Sequence, residues 1–343
     1  MVSTADISSS SSSLSSPVVE TKQIQLSEVN AEVKICKPLI SNTNPLLKLN
    51  PFTSMEKKKQ PLLFIHGSFH ASWCWEKHFM PYFASLGYPC YAISLRGTGN
   101  TFAGEGVKKV KLSQHANDVS DFVDYIRKEE GEDSKPVMIA HSFGGLAIMR
   151  FLEENLLSGD KSCKDLPISG QVSMCSVPPS GNGKLTMRYL RRSLRDSWKV
   201  TAGLAMKKCI SDEALCRELF FDEDQDQEEG ISDDELRQIQ GFFQRDTVAT
   251  IDLMDLAKQL PSTYTDENGR ASFLQFQDDQ TPVLKSLVIG ATDDFIVDQM
   301  GVEELATYYG VEAVMVESAH DVMLGSRWRN AAELIQSFLE KQS

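Results

Sequence analysis

A short apolar segment, Val137 to His141, runs straight into Ser142, then into Phe143, Gly144, Gly145 and a helical pattern. No other stretch limits the fold as tightly. A strand that turns into a helix within a residue or two needs small side chains beside the turn, because neighbouring backbone leaves no room for bulk. Ala140 and Gly144 stand at those two places, with Ser142 at the tip. Such a turn holds a hydroxyl at the end of a sheet, where it can act as a nucleophile. Glycine is the common residue at the first small position, and alanine is sterically acceptable there. Small-Ser-small also occurs in ordinary tight turns, so the motif needs partners elsewhere in the chain.

The partners follow downstream. Residues 283–290 (VLKSLVIG) read as a buried strand leading into Asp293 and Asp294. Residues 311–317 (VEAVMVE) read as another, followed by Ser318, Ala319, His320 and Asp321. Carboxylates and an imidazole therefore fall just beyond strand ends, where open α/β sheets place their sites. The chain order Ser, Asp, His is one that nucleophile, acid and base adopt in known triads. Upstream, Leu62 to His66 reads as a strand ending in His66-Gly67. The loop behind it can aim a backbone N–H at the serine, and with the Phe143 N–H it would form an oxyanion hole.

A serine hydroxyl needs a base. Of six histidines, His141 adjoins Ser142 on another face of the turn, and His66 sits where it would orient the oxyanion loop. His78 and His115 lie in helical patterns as surface or packing residues, and His70 could line the pocket. Only His320 follows the strand after the acids, so it is the expected base. Asp293 and Asp294 are neighbours with side chains pointing different ways, and Asp298 suits an N-cap for the next helix.

Strand and helix patterns alternate through residues 62–177 and again through 282–341, ending in an amphipathic helix near 327–339. This predicts an α/β fold, a mostly parallel central sheet with helices on both faces. Residues 23–38 alternate well enough for one or two edge strands. Residues 178–281 are helix-rich without an obvious buried strand and open on Pro178-Pro179-Ser180-Gly181.

The segments HGSFHASWCW, CYAISLRGTG, AHSFGG, GATDDFIVD and SAHDVML resemble the α/β-hydrolase family over residues 61–178 and 282–341. Within it they are similar to a plant and cyanobacterial serine esterase branch, with chlorophyll dephytylase-like, pheophytinase-like and lipid esterase members. The resemblance implies an α/β-hydrolase fold with core segments 23–177 and 282–343 and a helical cap at 178–281. It implies Ser142 as nucleophile, His320 as base, Asp294 as acid from the pattern D-x-I-V, and the Ser68 and Phe143 amides as the oxyanion hole. No cofactor and no metal are expected. Ser94 stands where the family often has a structural Asp.

The expected activity is hydrolysis of an apolar, lipid-like or prenyl (phytyl) carboxylic ester. Phe69, Trp73, Trp75, Phe143, Met206, Phe242 and Phe243 crowd the expected pocket mouth or belong to the core. A lyase, an acyltransferase or a ligand-binding receptor on the same fold are the alternatives. Epoxide and haloalkane hydrolysis use Asp where Ser142 stands.

A net charge of −13 speaks against nucleic acid as a partner. Seven scattered cysteines without C-x-x-C spacing suit reduced thiols. No obligate protein partner is expected. From Leu185 to Trp198, Met187, Leu190, Leu194 and Trp198 fall on one helical face, and Arg188, Arg191, Arg192, Arg195 and Lys199 around the other. That helix either packs its apolar face on the core, the favoured arrangement, or lies on an anionic membrane surface. Residues 222–235 hold nine acids, a solvated loop or helix start without the EF-hand pattern. Residues 1–22 are expected to be a disordered tail or a plastid transit peptide, since Met1 to Val19 holds nine serines but no Lys or Arg. The chloroplast is the expected location, the cytoplasm the alternative.

Overall fold

The computed structural model describes residues 16–39, 58–157, 165–221, 231–261 and 284–341. Its strands are β1 (Val19–Gln25), β2 (Asn30–Cys36), β3 (Leu62–Ile65), β4 (Cys90–Ile93), β5 (Lys109–Val110), β6 (Val137–His141), β7 (Gly170–Met174), β8 (Thr250–Ile251), β9 (Lys285–Ala291) and β10 (Ala313–Val316). Eight of them form one sheet in the order β1-β2-β4-β3-β6-β7-β9-β10. From β4 to β10 every pairing is parallel, and β1 and β2 add an antiparallel hairpin at one edge. β1 begins at Val19, four residues before the expected boundary at residue 23.

Helices α1 (Phe79–Ser85), α2 (Leu112–Glu130) and α3 (Gly144–Leu157) flank the first half of the sheet. The central strands are buried on both faces, so alternate side chains feed different cores. Leu63 and Ile65 of β3 join the core that holds α2 and α3. Leu62 and Phe64 join the opposite core, with Trp75, Phe79 and Phe83. The helix expected over 75–86 is shorter than its pattern: a 3₁₀ turn covers Ser72–Trp75, and α1 stops before Gly87, which adopts φ +92°.

The segment 178–281, expected as a cap and called the cap below, contains α4 (Asn182–Arg192), α5 (Leu194–Val200), α6 (Glu213–Phe220), α7 (Asp233–Arg245) and α8 (Leu253–Leu256) among the described residues. The single helix expected over 185–198 is two helices. The chain extends at Ser193, whose side chain accepts the Asp196 N–H and starts α5 afresh. The cap also holds a strand that its helix-rich pattern hides, β8, which pairs in parallel with β5. The chain returns to the core through β9, α9 (Gln299–Tyr309), β10 and α10 (Trp328–Glu340). Of the acidic stretch, Asp233, Asp234 and Glu235 form the first turn of α7 behind the Ser232 cap. Residues 222–230 lie outside the described residues, as do residues 1–15 of the serine-rich start.

No described helix is long and apolar enough to cross a membrane. The six described cysteines are all buried and free.

Candidate active site

Ser142 lies between β6 and α3 with φ +51°, a left-handed conformation that a non-glycine residue adopts at a cost. Two glycines make room for it. A Cβ on Gly144 would stand 2.7 Å from the Ile65 carbonyl oxygen and 2.8 Å from that of His66. A Cβ on Gly67 would stand 2.7 Å from the Ser142 Cβ. The small residue after the serine is therefore dictated by the backbone of the neighbouring strand.

His320, behind β10, places Nε2 3.2 Å from Ser142 Oγ. Its Nδ1 lies 2.9 Å from each oxygen of Asp294, behind β9. Asp294 Oδ1 also accepts the N–H groups of Ile296 (2.7 Å) and Val297 (2.8 Å), which fix the carboxylate. Of the two neighbouring aspartates, Asp294 is the one that meets His320. Asp293 is exposed and takes a hydrogen bond from Thr292 instead. An Nδ1 facing a carboxylate carries the proton, so Nε2 is left to accept from the serine hydroxyl. Burial disfavours the His320 imidazolium, but the Asp294 carboxylate outweighs it and Asp321 adds to it, so the His320 pKa is raised. Cys175, behind β7 at φ +45°, brings its Sγ within 4.8 Å of Asp294 and His320. Burial, then that carboxylate, push its thiol well up and keep it protonated.

Ser68 and Phe143 line one cavity with Ser142 and His320. Among the described residues neither amide N–H is spent on a backbone carbonyl, which leaves both free for an oxyanion. The cavity has a volume of about 380 Å³. Its walls include Phe69, Leu95, Leu146, Val177 and Phe220 from both core and cap.

The remaining histidines separate by environment. His66 orients its loop as expected: Nδ1 donates to the Gly67 carbonyl (2.8 Å), and Nε2 accepts the Leu95 N–H (2.9 Å). Burial holds its pKa down at about 4. His141 donates from Nε2 to the His320 carbonyl (3.0 Å) and stays neutral, its pKa lowered first by burial and then by His320. His78 packs flat on Trp328 at 4.7 Å. His115 is a packing residue rather than a surface one. It is a wall of the cavity, 5.6 Å from the Phe143 ring, and burial lowers its pKa to about 3.

His70 is corrected. It does not line the cavity but is fully buried two residues beyond Ser68. One nitrogen bonds the Ser68 carbonyl (2.8 Å) and the other Asp321 Oδ2 (2.9 Å). A single ring thus ties the Ser68 peptide to the residue beside His320. Nothing in the sequence pairs positions 251 apart, although Asp321 adjoins His320.

Asp246 was not anticipated. It closes α7 and carries a cap carboxylate down to the core, where it accepts from Trp73 Nε1 (2.9 Å) and the Gly99 N–H (2.8 Å). Of the expected mouth aromatics, Phe69 and Phe143 face the cavity, while Trp75 and Phe243 are core. Trp73 packs on Phe242 at 4.7 Å, and Met206 is exposed. Ser94 hydrogen-bonds Glu32 of β2 (2.8 Å), so a carboxylate reaches that place from the neighbouring strand.

A family model described as the Alpha/beta hydrolase family matches residues 62–334. Methylesterase 2 of Arabidopsis thaliana is 30% identical over 101 residues, which are 28% of this chain and 34% of that protein. Methylesterase 1 of the same plant is 29% identical over 101 residues, 29% of this chain and 36% of that protein. The chain thus spans about a third of the length of these curated relatives. The crystal structure of an epoxide hydrolase from Vigna radiata superposes with a TM-score of 0.57 at 14% identity, covering 94% of this chain and 98% of that one. A likeness at that identity concerns the fold alone.

Proposed function

We propose, from the premise that the chain belongs to the alpha/beta hydrolase family, that it hydrolyses a carboxylic ester with Ser142 as nucleophile, His320 as base and Asp294 as the orienting acid. The unbroken line of hydrogen bonds from Asp294 through His320 to Ser142 carries this proposal. His320 Nε2 takes the serine proton as Oγ attacks the ester carbonyl. The developing oxyanion meets the amides of Ser68 and Phe143. His320 then protonates the leaving alcohol, water enters, and the same ring activates it to release the acid. Every step uses groups of this chain, and Asp294 keeps the ring in the tautomer each step needs.

A cavity of about 380 Å³ lies near the lower end of the ~300–1,000 Å³ typical of small-molecule sites. Together with its apolar walls this supports an ester with a compact apolar group. The methylesterase relatives are named for esters of a small alcohol, which fits that size. A long prenyl ester such as a phytyl ester is a second substrate class. It is favoured by the exposed apolar residues of the cap, with the chain running out of the cavity along that surface.

A fluorophosphonate probe should label the protein, and Ser142→Ala should lose the label. Labelling that survives the substitution removes Ser142 from its role. Turnover of methyl, short-chain nitrophenyl and phytyl esters by the intact protein ranks the substrate classes. Labelling without turnover of any ester would move the activity toward a lyase or acyltransferase.

A further inference from the structure

We infer that the outer face of the cap docks on an anionic lipid surface, with the mouth of the cavity turned toward that surface. Thirteen large hydrophobic residues are exposed among the described residues, and eight of them lie between positions 187 and 254 of the cap. Met187, Leu190, Leu194 and Trp198 of α4 and α5 are exposed by 51%, 45%, 77% and 59%. Met206, Val248, Leu253 and Met254 are exposed by 51%, 73%, 63% and 71%. Scattered single residues would need no explanation, but concentration on one part of the molecule marks an interaction surface.

The second group flanks the cavity. Leu204, Ala205 and Lys207, which adjoin Met206, line it from one side. Thr247, Ala249 and Leu253 line it from the other. Lys207 Nζ hydrogen-bonds the Thr247 carbonyl (2.5 Å) and ties the sides together. Met206, Val248, Leu253 and Met254 therefore stand beside residues that line the cavity leading to Ser142, and Trp198 adjoins the same stretch through Lys208.

Charge selects the occupant. Residues 182–208 hold eight basic residues and one acid, in a chain of net charge −13. Some of the cations serve the fold: Arg188 clamps Asp298 with contacts of 2.5 and 2.6 Å, and Lys199 pairs with Glu218. Arg191, Arg195 and Lys208 are exposed and make no ion pair among the described residues. Lys208 stands 6.0 Å from the Trp198 ring. An indole and aliphatic side chains beside unpaired cations match a lipid headgroup layer, with apolar groups entering the acyl boundary and cations at the phosphates. The rest of the chain is acidic, so an anionic surface attracts this face and repels the others, which orients the protein.

Docking is a binding property, and it can be read without turnover. Ser142→Ala protein, intact in chain, is sedimented with vesicles of phosphatidylcholine mixed with phosphatidylglycerol, and with phosphatidylcholine alone. Binding is expected to the mixed vesicles, with a blue shift of Trp198 emission absent in Trp198→Phe, and weakening as salt rises. Arg191→Ala and Arg195→Ala should each weaken it roughly fivefold. Leu194→Glu should abolish it while leaving soluble-ester turnover of the Ser142 protein unchanged, which shows that the variant is folded. Absence of binding, or equal binding by the Leu194→Glu and arginine variants, overturns docking whatever the esterase assay shows. So does a dimer in solution that Leu194→Glu converts to a monomer, because a second copy then covers the face.

Discussion

The buried pair His70–Asp321 makes an unequal prediction for its two members. Both side chains are fully inaccessible to solvent. His70 faces an acceptor at each nitrogen, the Ser68 carbonyl and the Asp321 carboxyl group. Two ring-to-oxygen hydrogen bonds require two protons between them. The pair is thus imidazolium with carboxylate or imidazole with carboxylic acid, and net neutral in either form. Asp321 Oδ1 has no hydrogen-bond partner of its own, so the carboxylate depends on His70. His70→Ala strips that partner away and should cost about 3–5 kcal/mol, the range for orphaning one member of a buried ion pair. Asp321→Asn behaves differently. The new amide can donate to Nε2 of a neutral His70, whose Nδ1–H still reaches Ser68. Two hydrogen bonds survive and no charge is left buried, so the cost should be about 1 kcal/mol. Combining Asp321→Asn with His70→Ala should recover part of the single-mutant loss, since the carboxylate that needed His70 is gone. Urea unfolding at neutral pH with m-values compared measures all three. Losses for His70→Ala below about 1 kcal/mol, or equal losses for the two single variants, would refute the dependence of Asp321 on His70.

Substitutions at the site itself should separate cleanly. Ser142→Ala is expected to lower kcat by a factor on the order of 10⁶, and Asp294→Asn by about 10⁴, with Asp293→Asn unchanged. Ester turnover by purified variants measures this, and a loss at Asp293 equal to that at Asp294 would contradict the hydrogen-bond line. The raised His320 pKa sets the acid limb of the pH profile: kcat/KM should climb through a value above the ordinary 6.5, because only neutral His320 accepts the serine proton. The same shift makes protonated His320 stabilising, an effect complete below the unfolded value and lost as pH rises through the folded one. Asp321→Asn removes one of the charges that raise it and should move the limb downward. Gly144→Ala must displace the carbonyls of Ile65 or His66, and a loss of about 1–3 kcal/mol in thermal or urea unfolding is expected.

The parts of the site that could be read from the chain are those fixed by local periodicity. The apolar run into Ser142, and the two strands that end at Asp294 and His320, are each recognisable within ten residues. Their meeting follows from parallel sheet topology, which gathers strand ends on one side. The Asp293–Asp294 choice depended on which side chain turns inward, and that is set by the Ile296 and Val297 amides gripping Asp294. The His70–Asp321 and Trp73–Asp246 contacts span 251 and 173 positions, and no pattern in the sequence marks either. Short β5 and β8 are similarly hidden, because two residues carry no period of their own.

The cap shows why amphipathic spacing can be right while its orientation is not. Met187 and Leu190 of α4 and Leu194 and Trp198 of α5 are all exposed rather than packed on the core. The inward side of α4 and α5 is carried by Leu185, Tyr189 and Ser197, all buried. Polar anchors hold that side down. Arg188 reaches Asp298, which also caps α9 through the Gly301 N–H, and Ser180 hydrogen-bonds Glu304 of the same helix. A helical wheel ranks faces by hydropathy and would bury the more apolar one. Here a bidentate Arg–Asp clamp and a buried tyrosine outweigh that ranking, since turning the helix over would leave Asp298 and Arg188 unpaired while gaining contacts for side chains that protrude toward solvent. An apolar face kept outward against its own hydropathy is the observation on which the proposed lipid docking rests.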